Sequence, residues 1–376
     1  MEVYIFMLCW VIVFGIMSQM TSKYIAVGNE VYESRVNIFM AFVTFSVIIF
    51  FSGLRSGIAD TWTYIDMFKE YPLLSSAKDV IFDSEAREPG FRLFSILIKT
   101  YISDDFHIWL FIIASITGIC IVYTLYKYSS NYGLSVLLFM LSCQFTWMLN
   151  GMRQFLVAAI MFACTGLILN RKFLLYVIIV LLLSTFHLSV LIMIPAYFII
   201  VDEPWSKRSM IFIAVIVFAL IFTDKFTSLL EVVIENSDYA SSMNEFKDTD
   251  DGTNVIRILV ESVPVILAFI YRDILKDKLT PIIKISINMS LISSGVYIIS
   301  KIARSGIMLG RLPIYFSLYN LILLPWLIKN IFAREEKRLV NYSMIVLYGI
   351  FFYYQMVVAW NGVGYYSDIL NIFLSS

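Results

Sequence analysis

Two carboxylates, a histidine and a set of arginines are the side chains of this sequence best suited to chemistry. Asp60 or Glu88 can hold a histidine, and His187 titrates near neutrality and can act as a general base. Seven arginines, Arg55, Arg87, Arg92, Arg153, Arg257, Arg304 and Arg311, stand at or near the ends of apolar stretches. The planar guanidinium fork grips phosphate oxygens in pairs, so such a gathering predicts a bound polyanion. Donors aimed at charge that develops on a departing phosphate lower a barrier without a metal.

The residues fall into five short clusters. Gly53-Leu54-Arg55 is followed by Asp60-Thr61 and Tyr64, and Asp60 and Tyr64, four apart, share one face of a helical turn. Arg55 there fits a phosphate contact or a snorkelling interfacial arginine. In Arg87-Glu88-Pro89-Gly90-Phe91-Arg92, Glu88 and Arg92 are again four apart and can pair. A carboxylate just before a helix is also favourable with no further role. Asn150-Gly151-Met152-Arg153-Gln154 reads as a hairpin whose turn needs the glycine but not the arginine. Ser184-Thr185-Phe186-His187-Leu188-Ser189 sets the histidine among apolar residues, as a base or as a hydrogen-bonded core residue. His107, after Asp104-Asp105-Phe106, reads as interfacial. Last come Lys301, Arg304 and Arg311. On a continuous helix Arg304 and Arg311 would lie within about 20° of each other, a cationic ladder that repels itself unless anions intervene.

These clusters need a scaffold, and composition names it. The chain has 376 residues, 60% of them hydrophobic, and many stretches approach the length of a bilayer-crossing helix. Backbone polar groups in lipid must be paired internally, so the expected fold is an all-α polytopic membrane protein, with residues 1–376 as a single integral membrane domain. About twelve transmembrane spans are expected near 3–20, 36–54, 107–126, 134–149, 153–169, 172–184, 187–201, 209–223, 255–271, 282–300, 312–328 and 340–358. The segment 90–101, after Pro89, is too short to cross and reads as a re-entrant or interfacial helix. It lies within an outer loop, 55–106. A second outer segment, 224–254, is polar and acidic and reads as a solvated loop or a mobile lid. The first span has no basic lead and is expected to remain in the mature protein.

With the N-terminus outside, the inner loops carry fifteen Lys and Arg against eight acids, as the positive-inside rule asks. Arg55, Arg92, Arg153, Arg304, Arg311 and His187 then fall on the opposite side, against that bias. The formal net charge is zero, which gives no support for nucleic-acid binding. The four cysteines, all in apolar spans, suggest neither a disulfide frame nor a zinc site, and no metal or other cofactor is expected. No P-loop, hydrolase elbow or zincin motif is present.

The order of these features resembles the EpsG family of Wzy-type exopolysaccharide polymerases. The resemblance rests on Gly53-Leu54-Arg55, Asp60, Tyr64, Glu88-Pro89-Gly90-Phe91, Arg153 and Phe186-His187-Leu188-Ser189, and covers about residues 50–200. Arg304 and Arg311 match by basic character rather than by motif. The resemblance implies a GT-C-like architecture and a metal-independent glycosyltransferase at the outer face of a bacterial cytoplasmic membrane. Its substrates would be undecaprenyl-diphosphate-linked oligosaccharides, and its partners a chain-length regulator and a flippase. On that reading Arg153, Arg304 and Arg311, helped by Arg55, hold the diphosphate. His187 is the base, Asp60 or Glu88 holds that histidine or the sugar, and Tyr64 and Arg92 line the glycan path. A flippase or transporter for the same lipid, an O-antigen-ligase-like transferase and a membrane O-acyltransferase are the competing readings.

Overall fold

The computed structural model describes residues 1–28, 31–74, 88–222, 253–306, 309–361 and 364–371. Arg87, and the segment 224–254 apart from Thr253 and Asn254, lie outside the described residues. The chain divides into two compact units, one of residues 1–191 and 333–376, the other of residues 192–332.

In the first unit the helices are α1 (Glu2–Met20), α2 (Ile38–Gly53), α3 (Thr61–Glu70), α4 (Pro89–Tyr101), α5 (Phe106–Tyr128), α6 (Tyr132–Leu141), α7 (Met152–Ala163), α8 (Thr165–Leu169) and α9 (Phe173–Ser184). The second unit holds α10 (Met193–Ile200), α11 (Lys207–Ile221), α12 (Val255–Ile270), α13 (Pro281–Ile302) and α14 (Asn320–Ile331). The last long helix, α15 (Arg334–Tyr353), returns to the first unit and runs on as a wider π turn to Ala359. Polar side chains start several of them. Asn37 accepts from Phe39 N at 2.8 Å, Asp105 from His107 N at 2.9 Å and Asn131 from Leu134 N at 3.1 Å.

Among the described residues, four helices are long and apolar enough to cross a bilayer: Glu2–Met20, Phe106–Tyr128, Pro281–Ile302 and Arg334–Ala359. Shorter apolar helices, among them Ile38–Gly53, Met152–Ala163 and Phe173–Ser184, accompany them. Large apolar side chains stand exposed along α1, α9, α12 and α15, for example Ile16, Leu174, Leu259 and Leu347. Lipid is the solvent that such faces fit. The chain is a helical, membrane-embedded protein.

A ribbon and a broken span are among the departures from the expectation of uninterrupted helical spans. Strands β1 (Lys23–Gly28) and β2 (Val31–Arg35) form a small antiparallel ribbon with Lys23 opposite Arg35, where the sequence reading had only a loop. Their β-branched and aromatic residue types favour that choice. The expected span 134–149 stops at Leu141. Cys143 takes a left-handed φ of 60°, and a 3₁₀ turn, Gln144–Met148, follows. The next helix, α7, opens on Gly151 at φ 74°, a conformation natural to glycine.

The two helices between α2 and α5 are not detached from the spans. Helices α3 and α4 share a buried cluster with α5 and α7 that includes Phe68, Phe91, Trp109, Met152 and Leu156. Phe68 stacks on Trp109 at 4.6 Å, and Trp109 Nε1 donates to Ser95 Oγ at 3.1 Å. Lys99 of α4 donates to the carbonyls of Phe68, Lys69 and Tyr71 at the end of α3, at 3.0, 2.6 and 2.7 Å. A cation on the last carbonyls satisfies them and opposes the negative end of the helix dipole. This frame holds the site.

Helix α1 meets α6 backbone to backbone. A side chain at Gly133 would place its Cβ 2.6 Å from the Gly15 carbonyl oxygen. Gly133→Val must therefore push the two helices apart, at a cost of about 1–3 kcal/mol. The expected result is a thermal midpoint several degrees lower in detergent, read by fluorescence-detected size exclusion. An unchanged midpoint would show that this contact is not needed.

Candidate functional site

Glu88 sits at the N-terminal boundary of α4, immediately before Pro89. Proline's fixed φ suits that first helical position, and it leaves the preceding carboxylate at the start of the helix. Three segments meet there. Gly90 N donates to the carbonyl of Thr185 at 2.9 Å. A Cβ on Gly90 would strike the Thr185 side chain and crowd Phe186. The Pro89-Gly90 step is thus pressed against the turn that carries His187. Phe186 lies beside Phe91 and Phe94, with ring centres 6.4 and 5.9 Å away.

Arg153 enters from the first turn of α7 and forms an ion pair with Glu88 Oε2 through Nη1. The other carboxylate oxygen, Oε1, lies 3.8 Å from His187 Nε2. Arg153 also lies over two rings, 5.3 Å from the centre of Tyr64 and 5.8 Å from that of Phe91. These contacts fix the plane of the fork while leaving about a third of its side chain, 32%, exposed. Glu88 is only 14% exposed. Burial raises its pKa above the usual carboxylate value, and the charge of Arg153 works in the opposite direction. Tyr64 is raised too, chiefly by burial and then by Asp60, so its hydroxyl stays protonated at neutral pH.

The far side of the imidazole is also held. His187 Nδ1 is 2.7 Å from Ser189 Oγ, which accepts from Gln154 Nε2 at 3.0 Å. A serine hydrogen directed at Nδ1 leaves the ring proton on Nε2, the nitrogen facing Glu88. In that neutral tautomer both ring nitrogens meet complementary groups. Gln154 is the neighbour of Arg153, so one turn of α7 supports both ends of the Glu88–His187 pair.

The other expected residues of this unit take different places. Asp60 Oδ2 accepts from Gly151 N at 3.2 Å, so it fixes the turn that launches α7, while Glu88 is the carboxylate beside His187. Arg55 is 1% exposed. Its Nε donates to Thr61 Oγ1 at 3.0 Å, its Nη1 to the Ser52 carbonyl and its Nη2 to Met152 Sδ at 3.1 Å. Burial pulls its pKa down to about 10, still charged at neutral pH. A guanidinium so enclosed is a staple between α2, α3 and α7. Arg92 lies 5.9 Å from the centre of the Tyr71 ring. The sequence reading quoted Gln154 and Ser189 but gave them no role. Their signal was adjacency, one beside Arg153 and the other two residues past His187.

In the second unit the expected arginine ladder is replaced by a helix end. Helix α13 stops at Ile302, and Arg304 takes φ 47°. Ser305 N reaches the Ser300 carbonyl at 3.0 Å, and Arg304 N the Lys301 carbonyl at 3.2 Å. This is the pair of bonds that closes a helix on a left-handed residue, usually glycine. Arg304 is exposed and Arg311 partly so, and both lie in turns rather than on one helical face. Gly310 is pressed against Thr253 and Ser300, whose hydroxyls are 2.8 Å apart. Arg257 and Glu261 are buried nearby on α12, with Asn320 Nδ2 donating to Glu261 Oε2 at 2.9 Å.

Among the described residues no group of three or more His, Cys, Asp or Glu is arranged to hold a metal ion. The model of the EpsG family matches residues 37–367 of the chain. No curated protein and no solved structure matches it.

Two substitutions test the arrangement. Gly90→Ala removes no functional group, yet the new methyl must displace Thr185 and with it His187. Activity should fall at least tenfold and partly return in Gly90→Ala combined with Thr185→Ala. Full activity in the single variant would show that this close approach does not set the site. Arg304→Gly should melt no lower than the parent, because glycine adopts the same φ with about 1 kcal/mol less strain. Its activity should nevertheless drop. Undiminished activity would assign the side chain no chemical role.

Proposed function

The chain belongs to the EpsG family, the family of Wzy-type polysaccharide polymerases, and from that membership we propose how its site works. The proposed reaction joins oligosaccharide repeat units carried on undecaprenyl diphosphate, at the outer face of the cytoplasmic membrane. The bond between the donor's anomeric carbon and its phosphate oxygen breaks, and that carbon bonds to a hydroxyl oxygen of the acceptor. The hydroxyl proton goes to a base, and the lipid diphosphate leaves as an anion. Product chains are exopolysaccharide or capsule.

The observation that carries this reading is the 3.8 Å gap between Glu88 Oε1 and His187 Nε2. A hydroxyl oxygen placed about 2.8 Å from each fits across that distance. His187, protonated on Nε2, donates to the oxygen and aims its proton at Glu88. The carboxylate takes the proton, and its raised pKa suits it to that task. His187 thus orients the nucleophile, with Glu88 as the base. Arg153 restrains Glu88 on one side and presents its remaining donors to the departing diphosphate. Tyr64 and Arg92 border the glycan path. Arg304 and Arg311 form a separate basic segment of the second unit, and the exposed fork of Arg304 suits it to phosphate. Arg55, enclosed on all sides, supports the turn and makes no phosphate contact.

Purified protein given lipid-linked repeat units, with a chelator present, should yield a ladder of products. Glu88→Gln and Arg153→Ala should abolish the ladder while the protein still inserts. His187→Gln keeps a donor at the same place and should retain more activity than His187→Ala. The base must be ionised, so the rate should fall as pH drops through the Glu88 pKa. That acid limb should lie above the usual glutamate value of about 4.3. A wild-type ladder from Glu88→Gln would overturn the assignment of the base.

A further inference from the structure

The second unit contains a cavity of about 270 Å³ lined by residues that the polymerase reading does not use. Its rim carries Glu203, Trp205, Arg272, Asp273, Lys276 and Lys284, and its floor is formed by the buried Ala268, Leu275 and Ile287. The ends of four helices converge there. Helix α10 ends at Ile200, α11 begins at Lys207, α12 ends at Ile270 and α13 begins at Pro281. Thr253 meets Ser300 at the other ends of α12 and α13, so those two helices run antiparallel and the cavity is remote from the Lys301–Arg311 turn. A place where apolar helices terminate together suits the depth of the lipid headgroups.

The cavity is built rather than left over. Asn288, fully buried, donates to the carbonyls of Ile199, Ile200 and Asp202 at 3.0, 3.3 and 2.8 Å. It thereby closes α10 and fixes the loop that carries Glu203 and Trp205. Trp205 stands at φ 64°, a costly conformation for so bulky a residue. Its indole meets the Phe269 ring edge to face at 5.1 Å, and Arg272 lies over the same ring at 4.5 Å. Phe269 thus holds both an interfacial aromatic and a guanidinium at the rim. Lys284 is paired with Glu203 at 2.7 Å, so those two charges cancel locally. Of the other charged residues lining the cavity, two are cations, Arg272 and Lys276, and one is an acid, Asp273.

We propose that this cavity binds the phosphodiester headgroup of an anionic phospholipid, with Arg272 and Lys276 on the phosphate. The glycerol would rest on the apolar floor beside Trp205. An interfacial pocket with an excess of cations is the form that headgroup recognition takes in membrane proteins. The surrounding loops belong to the side that the distribution of lysine and arginine assigns to the cytoplasm, so the lipid would come from the inner leaflet.

The test uses the full chain in a zwitterionic detergent, titrated with short-chain phosphatidylglycerol, with phosphatidylcholine and with inorganic phosphate. Native mass spectrometry counts adducts and thermal unfolding reads stabilisation. One phosphatidylglycerol should bind and raise the midpoint, with phosphatidylcholine at least tenfold weaker. Arg272→Ala should weaken phosphatidylglycerol binding about tenfold, the loss of one charge-assisted contact. Lys276→Glu, a reversal on an exposed side chain that leaves the fold intact, should weaken it as much. Equal affinity for the two lipids, or unchanged binding in Lys276→Glu, would overturn the proposal. So would phosphate alone giving the full stabilisation, since the ligand would then be the free anion. No outcome depends on polymer synthesis, so the proposed activity stands or falls separately.

Discussion

The ion pair between Glu88 and Arg153 is the constraint on which the geometry of the first unit depends. It joins the residue before α4 to the first turn of α7, segments more than sixty positions apart in sequence. A mostly buried carboxylate needs a counter-charge, and losing one member of a buried pair leaves the other uncompensated. Arg153 is a third exposed, so water screens part of this attraction and the pair contributes less than a fully enclosed one. Geometry matters more here than energy. With Glu88 fixed by Arg153, one oxygen is left for His187. With α7 fixed by Asp60 on Gly151, Gln154 reaches Ser189 and the imidazole cannot turn.

The bilayer explains why such a site lies where helices break. Within lipid every backbone group must be paired, so irregular backbone is costly wherever it would face lipid. The chain re-aims side chains at span ends instead. Cys143 and Gly151, both left-handed, bracket the 3₁₀ turn that precedes Arg153. The turn after α9 performs the same service for His187, with its backbone bonded to Gly90 N through Thr185. Arg304 ends α13 in the same left-handed way. Each irregular step delivers a polar side chain that a continuous helix would have pointed elsewhere.

Much of this was legible in the sequence, and what was not has physical reasons. Apolar length announced α1, α5, α13 and α15, since a bilayer span is a property of composition. Pro89 announced the start of α4, because proline belongs in a first turn. Glu88, Arg153 and His187 were visible as chemical types, but their meeting was not. A contact between residues 88 and 187 depends on how α3 and α4 fold onto α5, which no local spacing encodes. The cationic ladder failed because 100° per residue assumes a helix that continues, and this one stops at Ile302. No glycine stood at position 304 to signal the stop. The ribbon at 23–35 was missed because its strands are short and the surrounding pattern is helical.

The arginines at helix ends do not all share one cause, and burial separates them. Arg55 is enclosed and its donors reach Thr61, Ser52 and Met152, so its charge serves to tie elements together. Removing it would leave carbonyl and hydroxyl partners unsatisfied, a structural defect that would abolish activity for an uninformative reason. Arg153 keeps a charged partner and an open side, the condition for a group that must exchange partners when substrate arrives. Arg304 has an exposed fork on a backbone that glycine would adopt with less strain, which is hard to account for by folding alone. Loss of polymer on mutation would therefore look alike in all three. Only stability distinguishes them, because a staple, a site residue and a strained exposed cation differ in what the fold loses when each is removed.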